Sequence, residues 1–141
     1  MARTGDIMPS HLRAALHGVF GASVDDVEIF ENSWFARLHG RATATTRRNR
    51  IYLRGTAEAF FADPSLMLHE YFHVLRQWNR GRMSLWTYLA EWRRNGYWRN
   101  RYERQARRFV ALRLPAFHRE VSSTIRRSAL GRNSDALCGN L

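Results

Sequence analysis

The chain contains no lysine, although its formal net charge is +11. All 23 of its lysine-or-arginine positions are therefore arginines. Guanidinium groups bind carboxylates and phosphates well, so one interpretation of this charge is an anionic partner such as nucleic acid, a lipid surface or an acidic protein. A bias in base composition would produce the same excess. Because the arginines are spread over most of the chain, nucleic-acid binding is an alternative and not the favoured function.

Cysteine and long apolar runs are also scarce. Cys138 is the only cysteine, so the fold cannot depend on an intramolecular disulfide. No run of about 18 apolar residues occurs, and we therefore expect no membrane span. The segment Met1–Met8 has no apolar stretch typical of a cleaved signal peptide. We expect a protein that stays in the cytoplasm or leaves the cell through another export machine.

The length of 141 residues and the hydrophobic fraction of 45% suit one domain with a single core. Segments that alternate between apolar and polar residues come early, and segments with helical spacing come late. This order predicts an α+β fold, with a small N-terminal β-sheet, an active-site helix and a helical C-terminal half. We expect residues 1–127 to form this domain and residues 128–141 to form a flexible tail.

Local patterns place the individual elements. Alternation predicts strands at 27–30, 42–46 and 50–54. Apolar spacing, together with proline and glycine at the ends, predicts helices at 9–20, 33–39, 63–79, 84–95, 98–114 and 115–127. In this assignment Gly96 separates two helices and Pro115 ends the second of them.

The segment His69–His73 reads H-E-Y-F-H and matches the metal-binding pattern H-E-x-x-H. Two histidines four residues apart lie one turn apart on the same helix face, so both imidazoles can bind one zinc ion. Glu70 is rotated by about 100° around the helix axis, which places its carboxylate near the ion without making it a ligand. Glu70 is therefore suited to take a proton from metal-bound water as a general base.

The polarity of this helix supports the assignment. Both histidines, Glu70 and Gln77 lie on its polar side. A histidine with a purely structural role would be expected on the apolar side. The alternative is that two unrelated surface histidines form the pattern by chance. The apolar side carries Met67, Leu68, Tyr71, Phe72, Val74, Leu75 and Trp78.

A catalytic zinc site needs a third protein ligand and an open position for water. No further histidine follows at close spacing, so we expect a carboxylate from a later helix. Glu103 borders the apolar face of its helix, and the small Ala106 one turn later would allow a close approach to the zinc helix. Glu91 points away from the apolar face of its own helix. We favour Glu103 and keep Glu91 as the alternative.

Several short patterns occur in a characteristic order along Pro9–Phe109. They are Met8-Pro9, Phe20-Gly21, Val24–Ile29, Ile51–Leu53, Leu68–Val74, Gly96-Tyr97 and the set Asn100, Glu103 and Ala106. In this order they resemble the zincin-like metallopeptidase domain found beside bacterial extracellular contractile injection systems and known as their core domain. The resemblance implies a gluzincin-type zinc site with Glu103 as the third ligand.

The chain departs from that family at two places. The residues inside the motif, Tyr71 and Phe72, are aromatic where smaller residues are frequent. Arg101, Arg104 and Arg107 flank the expected ligand where acidic residues are common. These departures bear on substrate preference and activity more than on the metal ligands.

The function predicted from these patterns is that of a zinc-dependent metallopeptidase acting on a peptide or protein substrate. Zinc would lower the pKa of its bound water to about 7, and Glu70 would pass the proton to the leaving amine. Tyr97, Tyr102 and Arg107 are candidate donors to the oxyanion, because all lie near Glu103 in the sequence. The alternatives are a catalytically inactive zincin-like module that docks or delivers an injected effector, or an arginine-rich nucleic-acid-binding domain.

Two further expectations concern packing. The strand Ile51–Leu53 precedes the zinc helix and could offer an open edge to an extended peptide, although an ordinary core strand fits equally well. The tryptophans of the helical half are expected to pack into the core. They are Trp78, Trp86, Trp92 and Trp98.

Overall fold

The computed structural model describes residues 1–34, 36 and 43–138. Within them, four strands form one sheet in the order β1-β2-β4-β3. The parallel pair β2–β4 lies at the centre, and the two outer pairs are antiparallel. The strands are β1 (Ala2–Arg3), β2 (Glu28–Phe30), β3 (Ala44–Arg47) and β4 (Arg50–Leu53).

The helices dominate the second half of the chain, so the predicted α+β class is confirmed. They are α1 (Thr4–Ile7), α2 (Ser10–Phe20), α3 (Ala57–Phe61), α4 (Pro64–Phe72), α5 (Leu85–Arg99) and α6 (Arg101–Cys138). A π-helix (His73–Trp78) continues α4 directly. Within the described residues, no helix is both long enough and apolar enough to cross a membrane.

The strand β4 lies inside the sheet and not at its edge. It pairs with β2 on one side and with β3 on the other, so the prediction of an open edge at Ile51–Leu53 is wrong. Ile51 and Leu53 face the core, whereas Tyr52 points to the opposite side of the sheet. Among the described strands, β3 forms the edge on this side, and it contacts both α4 and the π-helix.

The helix α4 begins where the sequence predicts. Asp63 caps it by accepting a hydrogen bond from the Leu66 N–H at 3.0 Å, and Pro64 occupies the first turn, where its missing N–H is not needed. Met67, Leu68 and Tyr71 on one side of α4 are completely buried in the core. The other side faces α6, which leaves the polar residues of the motif between these two helices.

Tyr71 connects α4 to the N-terminal strands. Its hydroxyl lies 2.7 Å from the Thr4 Oγ1. The Thr4 hydroxyl donates to the Val27 carbonyl at 2.9 Å, so Tyr71 donates to Thr4. Burial raises the pKa of Tyr71, and the hydroxyl stays protonated for this bond. The aromatic residue inside the motif thus has a structural role.

Helix α6 passes through Pro115, so the predicted end of a helix at this residue is wrong. A proline inside a helix costs about 3 kcal/mol or more. Packing on both sides of Pro115 opposes that cost, because Phe109 stacks on Phe20 and Phe117 is fully buried against the core. Gly96 separates two helices as predicted: its φ of 66° and ψ of 178° are not helical, so α5 consists of two helical segments that meet at a kink there.

Residues 128–138, where a flexible tail is predicted, continue α6. The division into a domain of residues 1–127 and a tail stays a prediction. The predicted helix at 33–39 and the start of the predicted strand at 42 fall largely outside the described residues. The tryptophan prediction is wrong for Trp86, Trp92 and Trp98, which are exposed.

A substitution at Phe117 tests whether the second half of α6 packs into the hydrophobic core. We expect Phe117→Ala to lower the free energy of unfolding by about 3–5 kcal/mol, because it leaves a cavity beside α2. The matched control is Leu112→Ala on the same helix, where the side chain is 67% exposed and the change should stay within about 0.5 kcal/mol. Chemical denaturation measures both. Equal effects of the two substitutions would contradict the described packing.

Candidate metal centre

Three side chains from two helices converge between α4 and α6. The His69 Nε2 lies 3.0 Å from the His73 Nε2 and 3.0 Å from the Glu103 Oε2. The His73 Nε2 lies 3.5 Å from the Glu103 Oε1. One ligand atom from each residue therefore lies within 4.8 Å of the other two. The structure brings together the three residues predicted as metal ligands.

The spacing of these atoms fits a small divalent cation. Zinc lies about 2.0–2.2 Å from imidazole nitrogen and carboxylate oxygen. Two such ligands at a tetrahedral angle are about 3.3–3.5 Å apart. The three observed separations are close to this range, and two imidazoles with one carboxylate form a donor set that zinc accepts. The site is also enclosed, because the Glu103 side chain is 6% exposed and that of His73 is 5% exposed.

The ring of His73 is oriented by Gln77. The Gln77 Nε2 donates to the Tyr102 carbonyl at 3.1 Å and to the Gln105 Oε1 at 3.1 Å. The Gln77 Oε1 therefore faces the His73 Nδ1, at 2.7 Å. Since this oxygen can only accept, the Nδ1 carries a proton, and the Nε2 is the nitrogen that faces His69 and Glu103.

Gln77 was not predicted to be part of the site. Its side chain is 99% buried, although it is polar, because its amide has partners on both sides. It lies four residues after His73 in the π-helix, a form of helix that is frequent at functional sites. The sequence does show Gln77 on the polar side of the helix with the histidines, and this position was the one feature that could have predicted its role. The contact with the Tyr102 carbonyl could not be seen in the sequence.

Glu103 is held as a carboxylate. Burial acts to raise the pKa of Glu103, but hydrogen bonding and the charges of His69 and His73 outweigh it and lower the pKa well below its usual range. Tyr88 adds a further bond, donating its hydroxyl to the Glu103 Oε1 at 3.0 Å. Burial, followed by the charge of Glu103, raises the pKa of Tyr88, so this donor keeps its proton.

Tyr88 is the second residue of the site that the sequence did not reveal. Its helical position groups it with Leu85, Leu89 and Trp92, which suggests a packing role. The hydroxyl is the one feature that distinguishes it from a purely apolar residue on that face. A buried tyrosine hydroxyl usually finds a partner, and here the partner is Glu103.

Glu70 follows His69 on α4 and is not among the three converging residues. It is buried, with 6% of its surface exposed. Burial raises the pKa of Glu70, while the charges of His73 and His69 act in the opposite direction and that of Glu103 adds to the rise. A carboxyl group with a raised pKa next to a metal position is suited to accept and return a proton.

The predicted oxyanion donors Tyr97, Tyr102 and Arg107 have different hydrogen-bond partners and surroundings. Burial, then the charges of Glu103 and Glu70, raise the pKa of Tyr97 to about 12. The Tyr97 hydroxyl therefore stays protonated at neutral pH. The Arg107 Nη2 donates to the Trp98 carbonyl at 2.5 Å, and its charge lowers the pKa of Tyr97.

Tyr102 occupies another position. Its hydroxyl accepts a hydrogen bond from the Arg101 Nη2 at 2.7 Å, and its carbonyl holds Gln77. These contacts give Tyr102 a positioning role, and its assignment as a catalytic donor stays a prediction. The alternative ligand Glu91 accepts from the Asn95 side chain at 2.9 Å and from the Arg101 N–H at 3.2 Å. It joins α5 to α6 and is not among the three converging residues.

Comparison with known proteins gives one match. The eCIS core domain family matches residues 7–81, which is just over half of the chain. No curated protein and no solved structure matches this chain. The matched segment contains the H-E-x-x-H motif and most of the core, but it ends before α5 and before Glu103. The chain therefore belongs to the eCIS core domain family, which is associated with extracellular contractile injection systems.

Proposed function

We propose that the protein is a zinc-dependent peptidase in which His69, His73 and Glu103 hold the ion. The observation that carries this proposal is the convergence of two imidazoles and one carboxylate from separate helices. An acid at Glu70, beside these ligands but not among them, distinguishes a hydrolytic site from a purely structural one. Structural zinc sites are usually closed by a fourth protein ligand, and no fourth histidine, cysteine, aspartate or glutamate joins this group among the described residues.

Each residue has a separable role in the proposed reaction. A bound zinc ion supplies Lewis acidity, which makes water nucleophilic near neutral pH and polarises a peptide carbonyl. Glu70 accepts the proton of the attacking water on its carboxylate and returns it to the leaving amine. Tyr97, with a pKa of about 12, offers a protonated hydroxyl to the oxygen that becomes negative. Tyr88 and Gln77 orient Glu103 and His73.

The first prediction concerns metal content. We expect the purified protein to retain about one zinc ion per chain, and we expect His69→Ala, His73→Ala or Glu103→Ala to lose it. His118→Ala is the matched control, because this histidine is exposed on α6 away from the site. Elemental analysis after dialysis measures the ratio. Metal-free protein, or equal loss in the control, would remove the basis of the proposal.

The second prediction tests the residue that orients His73 and leaves His73 itself in place. Gln77→Leu deprives the His73 Nδ1 of its acceptor, and we expect the zinc affinity to fall about 10–100-fold. Gln105→Ala is the control, since it removes one partner of Gln77 but leaves the bond between Gln77 and His73. Competition with a fluorescent chelator measures both affinities. An unchanged affinity in Gln77→Leu, with zinc still bound, would show that His73 does not need this partner.

The third prediction concerns catalysis. We expect Glu70→Gln to keep its zinc and its thermal unfolding midpoint while peptide hydrolysis falls by about 10²–10⁴-fold. A peptide library analysed by mass spectrometry detects cleavage without a known substrate. If the zinc-loaded wild type cleaves no peptide, the domain is an inactive metal-binding module. If Glu70→Gln cleaves as fast as the wild type, Glu70 is not the base.

A further inference from the structure

Helix α5 exposes aromatic side chains that have no role in the core. None of its residues is buried. Trp86 is 79% exposed, Trp92 52% and Trp98 75%. Three of the five tryptophans of the chain therefore lie on one exposed segment. Large apolar side chains grouped at a surface usually mark a contact with something outside the fold.

The two sides of α5 differ in their partners. Tyr88, Glu91 and Asn95 share one side, and their hydrogen bonds point to α6 or stay within α5. Trp86 and Leu89 are three residues apart and share the side away from these contacts. Leu89 is 42% exposed. The outward side thus carries Trp86 and Leu89, with Arg93 one turn after Leu89, and the fold does not bury it.

Positive charge surrounds this aromatic surface. Glu91 is the only acidic residue in the segment 80–101, and its carboxylate already accepts two hydrogen bonds. Six arginines lie in the same segment, and all six are exposed. They are Arg80, Arg82, Arg93, Arg94, Arg99 and Arg101. A partner for this surface must therefore accept indole rings and guanidinium groups together.

We propose that the outward side of α5 docks onto an anionic lipid surface. Tryptophan prefers the boundary between headgroups and acyl chains, because its ring is apolar and its N–H can meet a polar group. Guanidinium groups at the same level bind lipid phosphates and carboxylates. A helix with exposed tryptophan and leucine and with flanking arginines lies in the interface plane and does not cross the bilayer. The charge balance of the segment matches such a surface.

This docking would orient the candidate metal centre. Tyr88 and the neighbouring Tyr97 come from the same segment as the exposed tryptophans, and Tyr88 contacts Glu103. Binding through the outward side would therefore hold the candidate metal centre behind α5, on the side of the helix that faces away from the lipid. The docking surface stands independently of zinc binding and catalysis, because its tryptophans and arginines ligate nothing in that centre.

Co-sedimentation of the full chain with vesicles tests the proposal. We expect binding to phosphatidylcholine vesicles that contain about 30% phosphatidylserine, and little binding to phosphatidylcholine alone. Trp86→Ala/Leu89→Ala should weaken binding about tenfold or more without changing the unfolding midpoint, because both side chains are exposed. Trp34→Ala is the matched control, as this tryptophan is 71% exposed outside α5, and it should bind like the wild type.

A second pair of variants compares the effect of arginines on α5 with the effect of the protein's net charge on vesicle binding. Arg93→Gln/Arg94→Gln and Arg119→Gln/Arg126→Gln each remove two exposed arginines, the second pair from α6. We expect the first pair to weaken binding about tenfold and the second to have a much smaller effect. Equal effects of both pairs, or an unchanged affinity in the apolar double variant, would overturn the proposal. Absence of vesicle binding, with the tryptophans instead required for self-association or for binding to an RNA oligonucleotide, would overturn it as well.

Discussion

The approach of the Glu103 carboxylate to the imidazoles of His69 and His73 is the interaction on which the candidate site depends. Three polar side chains are brought out of water between two helices, and this is tolerated because each has charged or hydrogen-bonded partners. The small Ala106, fully buried one turn after Glu103, allows α6 to lie close to α4. Buried aromatic and aliphatic residues of α2, α4 and α6 keep these helices together.

The family match and the three-residue cluster come from different parts of the chain. The matched segment, residues 7–81, supplies both histidines, Glu70 and Gln77. Glu103 and Tyr88 lie beyond it and reach the histidines only through the packing of α5 and α6. Membership of the family therefore does not by itself account for all three candidate ligands. The tertiary structure adds the third one.

The sequence was sufficient where a local rule decides the outcome. The helix start at Asp63-Pro64 and the common face of His69 and His73 follow from capping and helical spacing, and the structure confirms them. The sequence was insufficient where contacts between residues far apart in the chain decide the structure. Pro115 lies inside a helix because residues on both sides of it are packed against α2. Trp92 has an apolar spacing but an exposed position, because spacing indicates a face and not what covers it.

Because His73–Trp78 is a π-helix, the geometry of the site depends on the number of residues in this turn as well as on their identity. Its hydrogen bonds span one residue more than those of an α-helix, so this turn holds an additional residue between the second histidine and the end of the helix. A single deletion at residues 74–76 would keep His69, His73 and Glu103 but change the spacing between His73 and Gln77, so the Gln77 oxygen would no longer face the His73 Nδ1. The imidazole proton would then lack its acceptor, although no residue of the site had been replaced.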